Sequence, residues 1–459
     1  MTSIPVSLDR RGLLRFGCGT AALTLLPWPR AARAAAANPQ FFMQIIIPNG
    51  MDVSYLFDAR PLALTAAGLK SNYLRREPEE WRGSNGGRAL ATHLTAPLAP
   101  LKESFSVLNG VVMAAAFDGH DQNLNFIFCG NPFGGDAFLP WLNHGPAKRP
   151  LDFVSQGRIP AEISNGAAGI PLRPQAAASL AAQLKASGAL DPAAPLMRHL
   201  RARFAANRSG VGRFAAGAAA MDDAAEFAPG LGSILADVKV PPTGRETLAS
   251  ALALTTEMMK RGATPSAVII LRPEGDDDLD THDATSAGKS GEVIGSIASQ
   301  LAQVIRHLHD TPFNETRSMF DVTTFAAVTE FSRTMRQTGM PIEGTGTDHN
   351  PLTNTVFIGG RGIKGGQVIG ASDFQTADET LSAPHLAFDG DRLKIMGRPF
   401  DFATGRPFEG VVSDFKAERY LTFSSVVNTV MGLFSVDEKR QFLAERNGVV
   451  APVLHQVLA

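Results

Sequence analysis

The chain has 459 residues, 43 Lys and Arg against 44 Asp and Glu, a formal net charge of −1, and 44% hydrophobic residues. Those values exclude an intrinsically disordered chain, a collagen-like chain and a disulfide scaffold. The missing basic excess also argues against a dedicated nucleic-acid binder. The 44 Gly and 30 Pro foretell many loops, where binding and catalytic residues concentrate.

Residues 1–37 read as a cleavable export signal. Arg10-Arg11-Gly12-Leu13-Leu14-Arg15 is a twin-arginine pattern, an apolar stretch runs from Phe16 to Trp28, and small residues at 32–37 offer cleavage sites. Left uncut, the segment would act as an anchor. Export of an already folded bacterial protein is expected, to the periplasm or beyond. The signal holds one acid, Asp9, and five arginines, a net +4, so residues 38–459 carry about −5. Cys18 leaves with it, and the remaining Cys129 has no partner for an intramolecular disulfide. No later stretch approaches 18 consecutive apolar residues, so no transmembrane segment is expected after signal removal.

Residues 41–47 (FFMQIII) form an apolar run closed by Pro48-Asn49-Gly50, a buried strand and a turn. Helical spacing follows over 89–102, then a second strand at 106–112 and short helices at 121–129 and 137–143. Residues 175–262 are Ala-rich with apolar residues at helical intervals. A strand at 266–271, a long amphipathic helix at 291–308, strands at 321–328 and 353–358, and helices at 418–434 and 436–446 complete the chain. Apolar strands separated by helices predict an α/β fold, a mainly parallel central sheet flanked by helices. The preferred organisation is one domain over 38–459 with a mostly helical insertion at about 160–262.

In such sheets ligands bind beyond the carboxyl ends of the strands. Polar residues gather at these predicted ends: Asp52 and Ser54 after the first strand, His120 after the second, and Glu330 and Arg333 after the strand ending at Val328. The segment 274–283 holds six carboxylates beside His282, and Asp348-His349 precedes the strand at 353. Carboxylates with imidazoles make a ligand set for Zn, Mn or Fe. An Asp-His pair alone is more often a hydrogen-bonded structural pair, and the triple Asp is equally a solvated loop. Gly359–Gly366 lacks the Ser/Thr of a phosphate-cradling loop, and no Gly-X-Ser-X-Gly, CxxC or HExxH occurs. Cys129 lacks the Cys-X-Pro-X-Arg context of a sulfatase's formylglycine and reads as a small buried hydrophobe.

Taken in order, these pieces resemble the exported bacterial domain-of-unknown-function 1501 family. They are Asn49-Gly50-Met51-Asp52, Asp58-Ala59-Arg60-Pro61, His120-Asp121-Gln122, Phe138-Leu139-Pro140-Trp141-Leu142 and Asp280-Thr281-His282. Thr329-Glu330-Phe331-Ser332-Arg333-Thr334 and Asp348-His349 with the following glycine-rich turns are the most specific. The resemblance implies an alkaline-phosphatase/sulfatase-like core. It implies Asp52, Asp280, His282, Asp348 and His349 as ligands of a divalent metal (Zn, Mn, Ca or Mg). Asp280 and His282 stand closer together than the superfamily's pattern, and no residue matches its nucleophile context. Ser54 lies nearest the first strand.

The expected function is metal-dependent hydrolysis of phosphate or sulfate esters, on a small-molecule or polymer substrate. Ser54, His120 and Arg333 are the candidate catalytic residues. Arg333 would contact the phosphoryl or sulfuryl group or pair with Glu330; His120 would be a ligand, a general acid or a structural residue. The alternative is a non-catalytic exported binding or assembly protein on a degenerate scaffold, serving a protein partner. An oxidoreductase component has no dinucleotide fingerprint or cysteine cluster behind it.

Overall fold

The computed structural model describes residues 39–61, 69–70, 76–114, 117–144, 149, 151–156, 169–171, 247–273, 278–337, 346–374, 388–389, 392–393, 395–408, 419–444 and 448–459. The expected export signal and most of the expected helical insertion, 157–168 and 172–246, lie outside them. The chain divides into two compact units. One comprises Met1–Pro39, Gly145–Val154 and Ala168–Pro265; the other comprises Gln40–His144, Ser155–Ala167 and Ser266–Ala459.

In the second unit, apolar runs form the strands β1 (Phe41–Ile47), β2 (Phe105–Asn109), β3 (Ser266–Ile270), β4 (Thr323–Thr329), β5 (Thr355–Gly360) and β6 (Val368–Ile369). They lie in the order β6-β2-β5-β4-β1-β3. β1 pairs in parallel with β3 and with β4, Ile46 standing opposite Ile270 and Val328. Every residue of β1 and β4 is buried, as a sheet covered on both faces requires. β5 runs antiparallel to both β4 and β2. The sheet is thus mainly parallel, with β5 reversed.

That reversal matters for function. β1, β2, β3 and β4 all point the same way, so the segments after them emerge at one edge. Because β5 is antiparallel, the segment before it, which carries Asp348 and His349, arrives at that same edge. Asn354 Nδ2 there donates to the Thr329 carbonyl at 2.7 Å.

Three helices of this unit are α1 (His120–Cys129), α2 (Ala284–Asp310) and α3 (Phe423–Leu433). α2 buries Ile294, Ile297, Leu301, Val304, Ile305 and Leu308, a stripe at helical spacing. It starts seven residues before the expected Gly291. The cause is Asp283, whose Oδ1 accepts from Thr285 N and Ser286 N at 2.8 and 2.9 Å and caps the orphan donors of the first turn.

Two expected helices are corrected. Residues 89–102 are a strand, Arg88–Ala91, followed by a 3-10 helix, His93–Ser104, because Pro97 and Pro100 remove backbone donors. The helix expected at 436–446 is a single 3-10 turn, Glu438–Arg440, after which Leu443 bridges Val450. In the first unit, the helix Leu248–Lys260 begins at a Thr247–Ser250 capping box. Among the described residues, no helix is long and apolar enough to cross a membrane.

Candidate metal centre

Beyond Ile47 the chain must reverse, and Asn49 and Gly50 take positive φ (68° and 71°) to do so. A Cβ on Gly50 would lie 2.1 Å from the Phe331 ring. The turn aims two carbonyls at Arg333, whose Nε donates to Gly50 O (2.9 Å) and Nη2 to Asn49 O (2.6 Å). Nη2 also donates to Asp280 Oδ1 at 2.9 Å. Arg333 is 1% exposed, so this guanidinium ties the β1 turn to Asp280 beneath the surface.

Two loops then close against each other. Thr347 N donates to the Thr281 carbonyl at 2.7 Å, and the two threonine hydroxyls bond one another. Gly346 permits the approach, since a Cβ there would meet the His282 backbone at 2.0 Å. The closure sets the His282 and His349 rings 4.6 Å apart, with their Nε2 atoms at 2.9 Å. His120, the first residue of α1, completes the group, its ring 4.5 Å from that of His349. Phe331 is the floor, stacked under His349 at 4.2 Å.

One ligand atom from each of His120, Asp280, His282 and His349 lies within 4.8 Å of the others. Sequence reasoning placed Asp280, His282 and His349 among the metal ligands and left His120 between ligand, acid and structural roles. Asp348 stands at the rim, Oδ1 3.8 Å from His282 Nδ1, outside the group of four. Asp52 is outside it too. Its Oδ1 accepts from Ser54 N (3.0 Å) and Ser54 Oγ (2.7 Å), and both residues are buried.

From the sequence, Glu330 has Arg333 as its specific expected partner. Its Oε2 instead binds His120 Nδ1 at 2.6 Å and accepts from Asn49 N at 3.2 Å. The available signal was its place at the carboxyl end of an all-buried strand. Of the acidic segment 274–283, residues 274–277 lie outside the described residues, and the rest divides into separate tasks. Asp278 Oδ1 accepts from Asn49 Nδ2 (2.5 Å), Asp280 joins the cluster and Asp283 caps α2.

The electrostatics fit a cation. The Asp118 carbonyl can only accept, so it fixes the proton of His349 on Nδ1 and leaves Nε2 a lone pair directed at the cluster. Burial, Arg333 and His120 push His349 down to about 4, so this ring is neutral at neutral pH. The Glu330 carboxylate likewise holds a proton on His120 Nδ1. That hydrogen bond raises the His120 pKa against the effect of burial. Burial opposes the charge on Asp280, but Arg333, His282 and His120 hold its carboxyl below the usual range. Three imidazoles and a carboxylate thus face one another at short range, an arrangement a divalent ion can bridge.

A family model described as "Protein of unknown function (DUF1501)" matches residues 244–389. That span carries Asp280, His282, Glu330, Arg333, Asp348 and His349, whereas Asp52 and His120 lie outside it. No sequence match is found among curated proteins. Among solved structures, the lipoteichoic acid synthase LtaP from Listeria monocytogenes is 9% identical, with a TM-score of 0.38 over 90% of this chain and 76% of that one. The lipooligosaccharide phosphoethanolamine transferase A from Neisseria meningitidis is 10% identical, with a TM-score of 0.34 over 79% and 57%. The PsFucS1 sulfatase from Pseudoalteromonas sp. is 9% identical, with a TM-score of 0.29 over 74% and 66%. Scores of this size say nothing about chemistry.

Proposed function

We propose that the protein hydrolyses phosphate or sulfate esters with a divalent metal held by His120, Asp280, His282 and His349. The observation that carries this reading is the convergence of those four side chains at the edge where the strand ends meet. A divalent ion there would polarise an ester oxygen and lower the pKa of a water molecule.

The chain's own residues fill supporting roles. Glu330 orients His120, and the Asp118 carbonyl orients His349. Arg333 is buried and directed through Nε and Nη2 at Asp280 and the β1 turn, so it positions a ligand. The Ser54 hydroxyl donates to buried Asp52, which removes it as an exposed nucleophile. Among the described residues, none of the four cluster side chains has a hydroxyl as hydrogen-bond partner. In this reading water is the attacking group. The test is a panel of aryl phosphate and sulfate esters assayed with wild type and His349→Ala. Hydrolysis should fall at least about 100-fold in the variant while its circular dichroism is kept. An unchanged rate, or no turnover of any ester by metal-loaded wild type, overturns the reading.

A further inference from the structure

We infer that this centre takes one borderline first-row ion, zinc or cobalt foremost, and discriminates against magnesium and calcium. The inference rests on the reading of the four-residue group as a metal site and adds the class of ion. It departs from the carboxylate-rich ligand set that the sequence resemblance implies.

Three of the four ligating side chains are imidazoles. Imidazole nitrogen suits zinc, cobalt and their neighbours, whereas calcium takes six to eight oxygens and magnesium an octahedron of oxygens. Among the described residues, Asp52 and Glu330 each have a carboxylate oxygen engaged outside the group. Asp52 is bonded to Ser54, with its Oδ1 accepting twice. Glu330 is bonded to the outer nitrogen of His120. Asp280, the one carboxylate in the group, shares Oδ1 with the Arg333 guanidinium at 2.9 Å, which withdraws part of its charge from any ion.

The imidazoles are also prepared as nitrogen donors. His349 Nδ1 faces the Asp118 carbonyl and His120 Nδ1 faces Glu330, so on both rings Nε2 is the nitrogen turned to the cluster. Such outer partners fix the tautomer and raise ligand basicity, which matters for a borderline ion. Among the described residues the geometry admits one ion. All four ligand atoms lie within 4.8 Å of one another, and no second such group occurs among the described residues. Paired-ion sites set two metals about 3.5–4 Å apart and need ligands for each.

The test uses the full chain, stripped with a chelator and titrated calorimetrically with Zn²⁺, Co²⁺, Mn²⁺, Mg²⁺ and Ca²⁺ in turn. The expected order is zinc and cobalt above manganese, with magnesium and calcium at least about 100-fold weaker than zinc. Zinc should bind at one equivalent, and cobalt should give a visible ligand-field band. His282→Ala, at a side chain 46% exposed and hence safe for folding, should weaken zinc by more than about 10-fold and shift that band. Magnesium or calcium binding as tightly as zinc, two equivalents of zinc, or an unaltered His282→Ala overturns the inference. The two proposals fail separately. Tight single-site zinc without turnover of any ester sinks the hydrolase reading alone. Ester hydrolysis supported fully by magnesium or calcium, with zinc bound no more tightly, sinks the ion assignment alone.

Discussion

Replacing Asp52 by Asn should flatten part of the pH dependence of stability and leave the metal centre intact. Asp52 is fully buried, its Oδ1 accepts from Ser54, and its Oδ2 has no hydrogen-bond partner. Burial pushes its carboxyl from 3.8 up to about 6, against the opposing pull of Ser54 and Arg333. The folded protein therefore keeps a proton here that the unfolded chain has already released. The stability that this proton represents is fully present below the unfolded value and is lost as pH rises through about 6. The whole difference is worth roughly 3 kcal/mol, of which about 2 kcal/mol disappears between about pH 4.5 and about pH 7.5. His349 acts with the opposite sign in an overlapping range. Its folded value of about 4 lies below the ordinary 6.5, so its contribution grows as pH rises. Part exposure keeps that contribution modest. The wild-type curve alone mixes the two, and the difference between wild type and D52N isolates Asp52. Urea unfolding of both proteins in chelator at about pH 4.5 and about pH 7.5 measures it. D52N should gain about 2 kcal/mol on wild type between those conditions, and its zinc affinity should stay within about three-fold. A wild-type-to-mutant difference that is the same at both pH values refutes the assignment of the buried proton. A large loss of zinc affinity would return Asp52 to the ligand set.

Glu330→Ala should weaken zinc by about 10–100-fold, because His120 loses the carboxylate that fixes its tautomer. Glu330→Gln, which can still accept from Nδ1, should lose clearly less in the same chelator competition, and equal losses would reduce Glu330 to a packing role. Gly346→Ala forces a Cβ to within 2.0 Å of the His282 backbone, so it should separate the two loops and weaken zinc by at least about 10-fold. A crystal structure of that variant with the Thr281–Thr347 bonds intact would contradict the reasoning.

The fold was legible because its strands are written as continuous apolar runs. FFMQIII, SAVII and TTFAAVT are buried along nearly their whole length, and no partly solvated sheet tolerates that. Their common direction points to one edge, and that is where Asp280, His282 and His349 come together. What periodicity does not encode is strand direction, and the reversed β5 is what brings Asp348-His349 to that edge from the amino end of a strand. Nor does it encode which carboxylate meets which cation. Glu330 and Arg333 are three residues apart and invited a local ion pair, but they leave β4 in different directions. Arg333 reaches back to the carbonyls of Asn49 and Gly50 and to Asp280, while Glu330 turns to His120, 210 residues earlier in the chain. Asp52 shows the converse. It stands after the first strand as a ligand would, yet Ser54, two residues on, binds it through both backbone N–H and hydroxyl and makes it the cap of a 3-10 turn. Short polar side chains readily bond to their own neighbouring backbone in this way. A strand-end carboxylate followed at the second position by Ser is thus ambiguous between cap and ligand. Beyond β3, the strand beside β1, Asp280 is followed at the second position by His282, which offers it a nitrogen at 3.2 Å and no hydroxyl. That single difference in side chain separates the acid that is sequestered from the acid that joins the cluster.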